Sequence, residues 1–145
     1  MTIKNLGFGV ALAIWGSVLC LGMARADEDT LYQDMGGVDN LKKIANDTVD
    51  NFLADDRIKA AFADSNIARI REKLGEQFCA VAGGPCTYTG YSMVAAHKGV
   101  HATNADFNAV VEDLQKAMDK DGVPFATQNR FLARLAPMQH DIVTK

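Results

Sequence analysis

The chain is cut into short rods. Gly36-Gly37, Gly83-Gly84-Pro85, Gly99, Asp121-Gly122 and Pro124 interrupt a sequence whose apolar residues otherwise recur every three or four positions, the period of a helix face rather than a strand. Val38, Leu41, Ile44, Ala45, Thr48, Val49 and Phe52 mark one face of a helix ending near Ala54, with Asp39, Lys42, Lys43, Asn46 and Asp50 on the other. Residues 58–62 form a short apolar connector that presses Phe62 into the core. Ile67, Ile70, Leu74, Phe78 and Val81 draw a narrower line on a second helix, with Asp64 or Ser65 as its expected cap and Arg69, Arg71, Glu72, Lys73 and Glu76 turned to water. Pro124, in the favoured first-turn position, opens a last helix buried through Phe131, Leu132, Leu135 and Met138, which Pro137 kinks or ends early. No strand alternation and no internal repeat survives, so the fold class is all-α.

The most informative stretch is residues 91–114. Met93, Ala96 and His97 fall at helical spacing, Gly99 breaks the run, and Thr103 with Asp106 three residues on reads as a capping box opening a new helix. Phe107, Val110, Val111, Leu114 and Met118 then build one broad apolar wall. His97 is thus offered from a helix end beside apolar residues. On residue types alone it is either a satisfied core histidine or an axial ligand to a flat apolar cofactor, because ligation of haem by one histidine has no local signature. His101 and His140 have no companion ligands at zinc-site spacing and read as surface histidines.

The sequence of 145 residues is long enough for one domain with a real core, preceded by a segment of another kind. Residues 1–26 carry Lys4, then an uncharged apolar run, then Ala24-Arg25-Ala26, the three-part pattern of a secretory signal peptide. Cleavage after Ala26 leaves residues 27–145 as the mature domain and removes Cys20; the alternative is an uncleaved membrane anchor, for which the run is short. The expected location is outside the cytoplasm, in the periplasm. The segment holds two basic residues and no acid, so the formal charge of −3 for the chain becomes −5 for the mature domain. That acidity argues against nucleic acid and against an anionic membrane surface as partners. Cys79 and Cys86 remain, either as a disulfide clamping the Gly83-Gly84-Pro85 turn, with about 2 kcal/mol or less of stabilisation for so small a loop, or as free thiols. There is no C-x-x-C-H sequence, so any haem would be held without thioether links.

Taken in order, these residues resemble one family, the truncated haemoglobins, and most closely their first group. The resemblance runs from Leu31 to about Val143. It rests on Leu31-Tyr32 before Gly36-Gly37; Leu53-Ala54-Asp55-Asp56; Phe62 followed by Asn66 and Arg69; Gly83-Gly84-Pro85 with Tyr88-Thr89-Gly90; Met93 and His97 with Gly99; Phe107; Gly122-Val123-Pro124; and Leu135-Ala136-Pro137.

The resemblance implies a two-over-two helical sandwich around one non-covalent b-type haem, with His97 as the proximal iron ligand. Phe62, Ile70, Leu74, Phe78, Met93, Val100, Phe107 and Val111 would bury the haem, and Tyr88, Lys73 or Arg69 would reach a propionate. Members of the group place a Tyr on the second helix and a Gln on the third to hydrogen-bond bound oxygen. Here the matched positions are Val49 and Leu74, with Ile70 nearby. Loss of such a donor weakens oxygen binding by about 1.5–3 kcal/mol, whereas carbon monoxide and nitric oxide need it much less. Thr48 or Gln77 turned inward would restore a weak donor. The implied function is reversible binding of O2 or another diatomic gas by a monomer served by an electron donor. The alternatives are a periplasmic haem enzyme detoxifying nitric oxide or peroxide, and a haem-free helical interaction module.

Overall fold

The computed structural model describes residues 30–145, and the expected signal segment, residues 1–26, lies outside the described residues. Seven α-helices follow in order: α1 (Leu31–Asp34), α2 (Gly37–Ala54), α3 (Ile67–Val81), α4 (Met93–Ala96), α5 (Asn104–Lys120), α6 (Phe125–Leu135) and α7 (Gln139–Ile142). Single 3-10 turns occupy Lys59–Phe62 and Ala136–Met138. No strand occurs among the described residues.

Two long helices, α2 and α3, pair closely and make one layer, and α5 and α6 make the other. Across the layers α2 lies on α5 and α3 touches α6, which is the two-over-two sandwich. At the α2–α3 contact Gly75 lies over Lys42, where an added Cβ would stand 3.4 Å from the Lys42 Cγ. At the α2 entry, Gly36 sits at φ 84°, a left-handed conformation that glycine adopts without steric cost.

Leu31, Met35, Leu41, Ile44, Ala45, Cys79, Ala117, Met118 and Phe131 are all 0% exposed and form the main core, into which Phe78 presses its ring edge-on to Phe131 at 5.2 Å. A second, smaller apolar cluster joins Val49, Phe52, Ile58 and Ala109, with Phe62, Ile67, Ile70, Leu74 and Val110 packed against it. Phe62 is half-buried and stacks on Phe52 at 5.4 Å, which is how the connector after α2 reaches the interior.

The local chemistry behaves as the residue types dictate. Thr103 and Asp106 form a complete capping box at the start of α5, and α6 stops at Leu135, two residues before Pro137. Two expectations shift. The cap of α3 is Asn66 rather than Asp64 or Ser65, its side chain accepting from the Arg69 amide, because Asn66 alone takes the extended backbone from which a side chain can turn back. Pro124 stands at the N-cap of α6, one position ahead of the first turn, with the Thr127 and Gln128 amides bonding its carbonyl.

Candidate functional site

His97 closes the shortest of the working helices. Ser92 caps α4 by accepting from the Ala95 amide, and four helical residues later His97 is the C-cap. Its Nδ1 lies 2.8 Å from the Met93 carbonyl oxygen. A carbonyl only accepts, so Nδ1 carries the proton and the neutral ring keeps its lone pair on Nε2. No hydrogen bond among the described residues engages Nε2. The ring is half-buried, and its orientation is fixed from behind by the helix that carries it.

Contacts from α3 bracket this segment. On one flank the Arg69 guanidinium lies 5.5 Å over the Tyr91 ring, and the Lys73 ammonium donates to the Thr89 hydroxyl at 2.7 Å. On the other, the Gln77 amide reaches the Met93 sulfur at 3.3 Å and the Met138 sulfur at 3.6 Å. Beside this row of contacts, on the same helix, Ile70 and Leu74 pack against the smaller apolar cluster. Ile70, Leu74, Gln77, Met93, Phe107, Val111 and Met138 are half-buried rather than buried. An imidazole lone pair near half-buried apolar side chains is the donor set that a flat hydrophobic ligand with a metal at its centre requires.

The other candidates divide. Val49 is fully buried in the smaller cluster, and Phe78 belongs to the main core with Phe131. Val100 is 42% exposed. Tyr88 is half-buried and donates from its hydroxyl to the Tyr91 carbonyl at 2.7 Å, so it braces its own loop; burial, with the Glu76 charge nearby, pushes its hydroxyl pKa up. Thr48 is 1% exposed, and its neighbours on the same helix face α5: Asp47 pairs with Lys120 and Asn51 donates to the Asp113 carbonyl. His101 and His140 are exposed, and His101 takes a left-handed φ of 56°. No group of three or more potential metal-ligating side chains occurs among the described residues.

The loop between α3 and α4 is held by side-chain bonds that residue patterns did not reveal and by the Cys79–Cys86 disulfide that they offered. Lys73 and Glu76 are not simply solvated. Lys73 bonds Glu72 and Glu76 at 2.8 Å each, and one Glu76 oxygen accepts both the amide and the hydroxyl of Thr89 at 2.9 Å. The Lys73 ammonium and these two Thr89 bonds hold the Glu76 carboxyl down at about pKa 2. Cys79 and Cys86 form a disulfide across the same loop, their Cα atoms 5.7 Å apart. Gly84 lies inside it, where a Cβ would come within 2.5 Å of the Tyr32 ring. Lys73, named above as a partner for a propionate, is thus already committed to two carboxylates and a hydroxyl.

Comparison with known proteins identifies the family and the fold. Residues 30–144 match the family model for bacterial-like globins. Among relatives, the group 1 truncated hemoglobin of Mycolicibacterium paratuberculosis is 32% identical over 120 residues, covering 83% of this chain and 88% of its own. The group 1 truncated hemoglobin of Tetrahymena pyriformis is 28% identical, covering 80% and 96%. The crystal structure of the Tetrahymena pyriformis protein in its Fe(III) form superposes with a TM-score of 0.77 at 27% identity, over 79% of this chain and 98% of that one. The 2/2 hemoglobin of Synechococcus, solved in the cyanomet state with covalently attached heme, shares the fold with a TM-score of 0.73 at 21% identity, over 79% and 98%. With a globin family model spanning nearly all the described residues and a two-over-two helical sandwich, this chain belongs to the bacterial-like globins, as a group 1 truncated hemoglobin.

Proposed function

We propose that the protein is an exported haem protein that reversibly binds a diatomic gas, with His97 as the proximal ligand of a non-covalent haem. The observation that carries this reading is the bond from His97 Nδ1 to the Met93 carbonyl, which sets the tautomer and leaves Nε2 with the lone pair that an iron requires. A haem held there would supply an iron able to bind a diatomic gas, with His97 as its protein ligand. The chain's own residues do the rest. Met93, Phe107, Val111, Ile70 and Leu74 offer apolar surface to the ring and keep water from its faces, while Arg69, paired to no carboxylate and stacked on the exposed Tyr91, stands at the rim within the range of an anionic substituent.

The test is haem uptake followed by absorption spectroscopy. His97→Ala abolishes retention of haem, whereas His101→Ala, at an exposed histidine four residues away, retains it. Unchanged haem content in His97→Ala overturns the assignment.

Export rests on the pattern of residues 1–26, with its apolar run and Ala24-Arg25-Ala26. A mature N-terminus at Asp27 in protein recovered from the periplasm, read by mass spectrometry, is the expected result. A retained Met1 would overturn it.

A further inference from the structure

Resting on that reading, we propose that the gas site opposite His97 is free of hydrogen-bond donors and therefore favours carbon monoxide and nitric oxide over dioxygen. The side chains matched to the gas site are apolar. The inner stripe of α3 presents Ile70 and Leu74, and behind it Val49 of α2 is 0% exposed, packed with Phe52, Ile58 and Ala109. None of these side chains carries an N–H or O–H.

Two polar side chains lie close enough to need an account. Gln77 is one turn beyond Leu74, but its amide is turned toward α4 and the turn after α6, where it meets the sulfurs of Met93 and Met138. Thr48 adjoins Val49 in sequence. Its hydroxyl is buried without a hydrogen-bond partner among the described residues, on a helix whose adjacent residues Asp47 and Asn51 meet α5, about 120° round the helix from Lys42, which meets α3 at Gly75. The gas site therefore counts neither as a donor.

The chemistry follows from charge. Dioxygen draws electron density from ferrous iron as it binds, and a donor that meets that charge slows its release; carbon monoxide takes up little charge and gains little from a donor. A wall of Ile, Leu and Val withholds that help from the one gas that depends on it.

The experiment uses the haem-loaded protein, with two readouts that do not involve turnover: the rate of oxygen release and the infrared stretch of bound carbon monoxide. The wild type releases oxygen fast and shows a C–O stretch at the high frequency of an apolar pocket. Leu74→Gln places an amide on the stripe, slows oxygen release about tenfold or more and lowers the C–O frequency, while changing carbon monoxide release far less. Gln77→Leu tracks the wild type.

A wild-type stretch already at the donor-bearing frequency overturns the proposal. So does faster oxygen release in Gln77→Leu, which would make Gln77 the donor, or unchanged release in Leu74→Gln. Failure of the wild type to take up haem overturns both this proposal and the one on which it rests. Normal uptake with a donor-like stretch overturns this one alone.

Discussion

The two ends of the sandwich are built on different principles. Around Phe131 the molecule is sealed: ten residues of the main core are 0% exposed, and five helices with their caps contribute them. Around His97 it is open. The α4 helix has four residues, Tyr91 is 64% exposed and Val94 60%. Apolar burial, at roughly 25 cal/mol per Å2, fixes the first region. The second has little such area to bury within the chain, and polar clamps hold it instead: the Glu76–Thr89 bonds, the Tyr88 brace and the Cys79–Cys86 link. The stability of this globin and the position of its imidazole are thus separable, and each can be perturbed without the other.

The sharpest way to break that contrast is a pair of truncations. Phe131→Ala removes a fully buried ring that meets Phe78 edge-on and lowers unfolding free energy by about 3–5 kcal/mol. Val94→Ala, on the exposed side of α4, changes it by about 0.5 kcal/mol or less. Denaturant unfolding measures both, and equal losses would erase the distinction between the regions. Next comes the disulfide. Reducing Cys79–Cys86, or replacing both residues by Ser, lowers stability by about 2 kcal/mol or less and loosens the loop to amide exchange more than it loosens α2. A uniform loss of protection would mean that the link serves the core and not the loop.

The smallest effect is the most local. The Glu76 carboxyl is ionised in the fold down to about pH 2, against an ordinary value of 4.5. A folded value below the unfolded one contributes stability that is present above pH 4.5 and is lost as pH falls toward about 2. Thr89 amide exchange in the acid range therefore rises through that window in the wild type. In Glu76→Gln it lacks the window altogether, and an identical profile in the variant would remove Glu76 from the account.

How much was legible before the structure follows the same division. The helices, the Thr103–Asp106 box and the stop before Pro137 are encoded by neighbours in sequence, so their chemistry can be read locally. The cap of α3 was missed because Asp64, Ser65 and Asn66 are all capable residues in a row, and only the backbone decides among them. His97 and the apolar character of Val49, Ile70 and Leu74 were readable as positions. The bond that orients the imidazole needed coordinates, because Met93 contributes a carbonyl that every residue has. The Cys79–Cys86 link was offered by the two cysteines flanking the Gly83-Gly84-Pro85 turn, but the bonds of Lys73 and Glu76 were illegible: they show the spacing of a solvated face, and nothing in it announces that a loop 13 to 16 residues later folds back to meet them. Gln77 gave a partial signal, an amide on an otherwise apolar line, but not the direction in which it turns.

One helix belongs to both regions. Leu114 and Met118 of α5 are locked in the sealed core, while Phe107 and Val111, further back along the same apolar line, belong to the candidate site. A helix of this length moves as a beam, with about 1.5 Å of rise per residue and a bonded backbone throughout. Any swing that moved Phe107 would have to pivot Met118 against its packed neighbours. The place of Phe107 is therefore set from the far end of the molecule, by side chains that lie outside the candidate site.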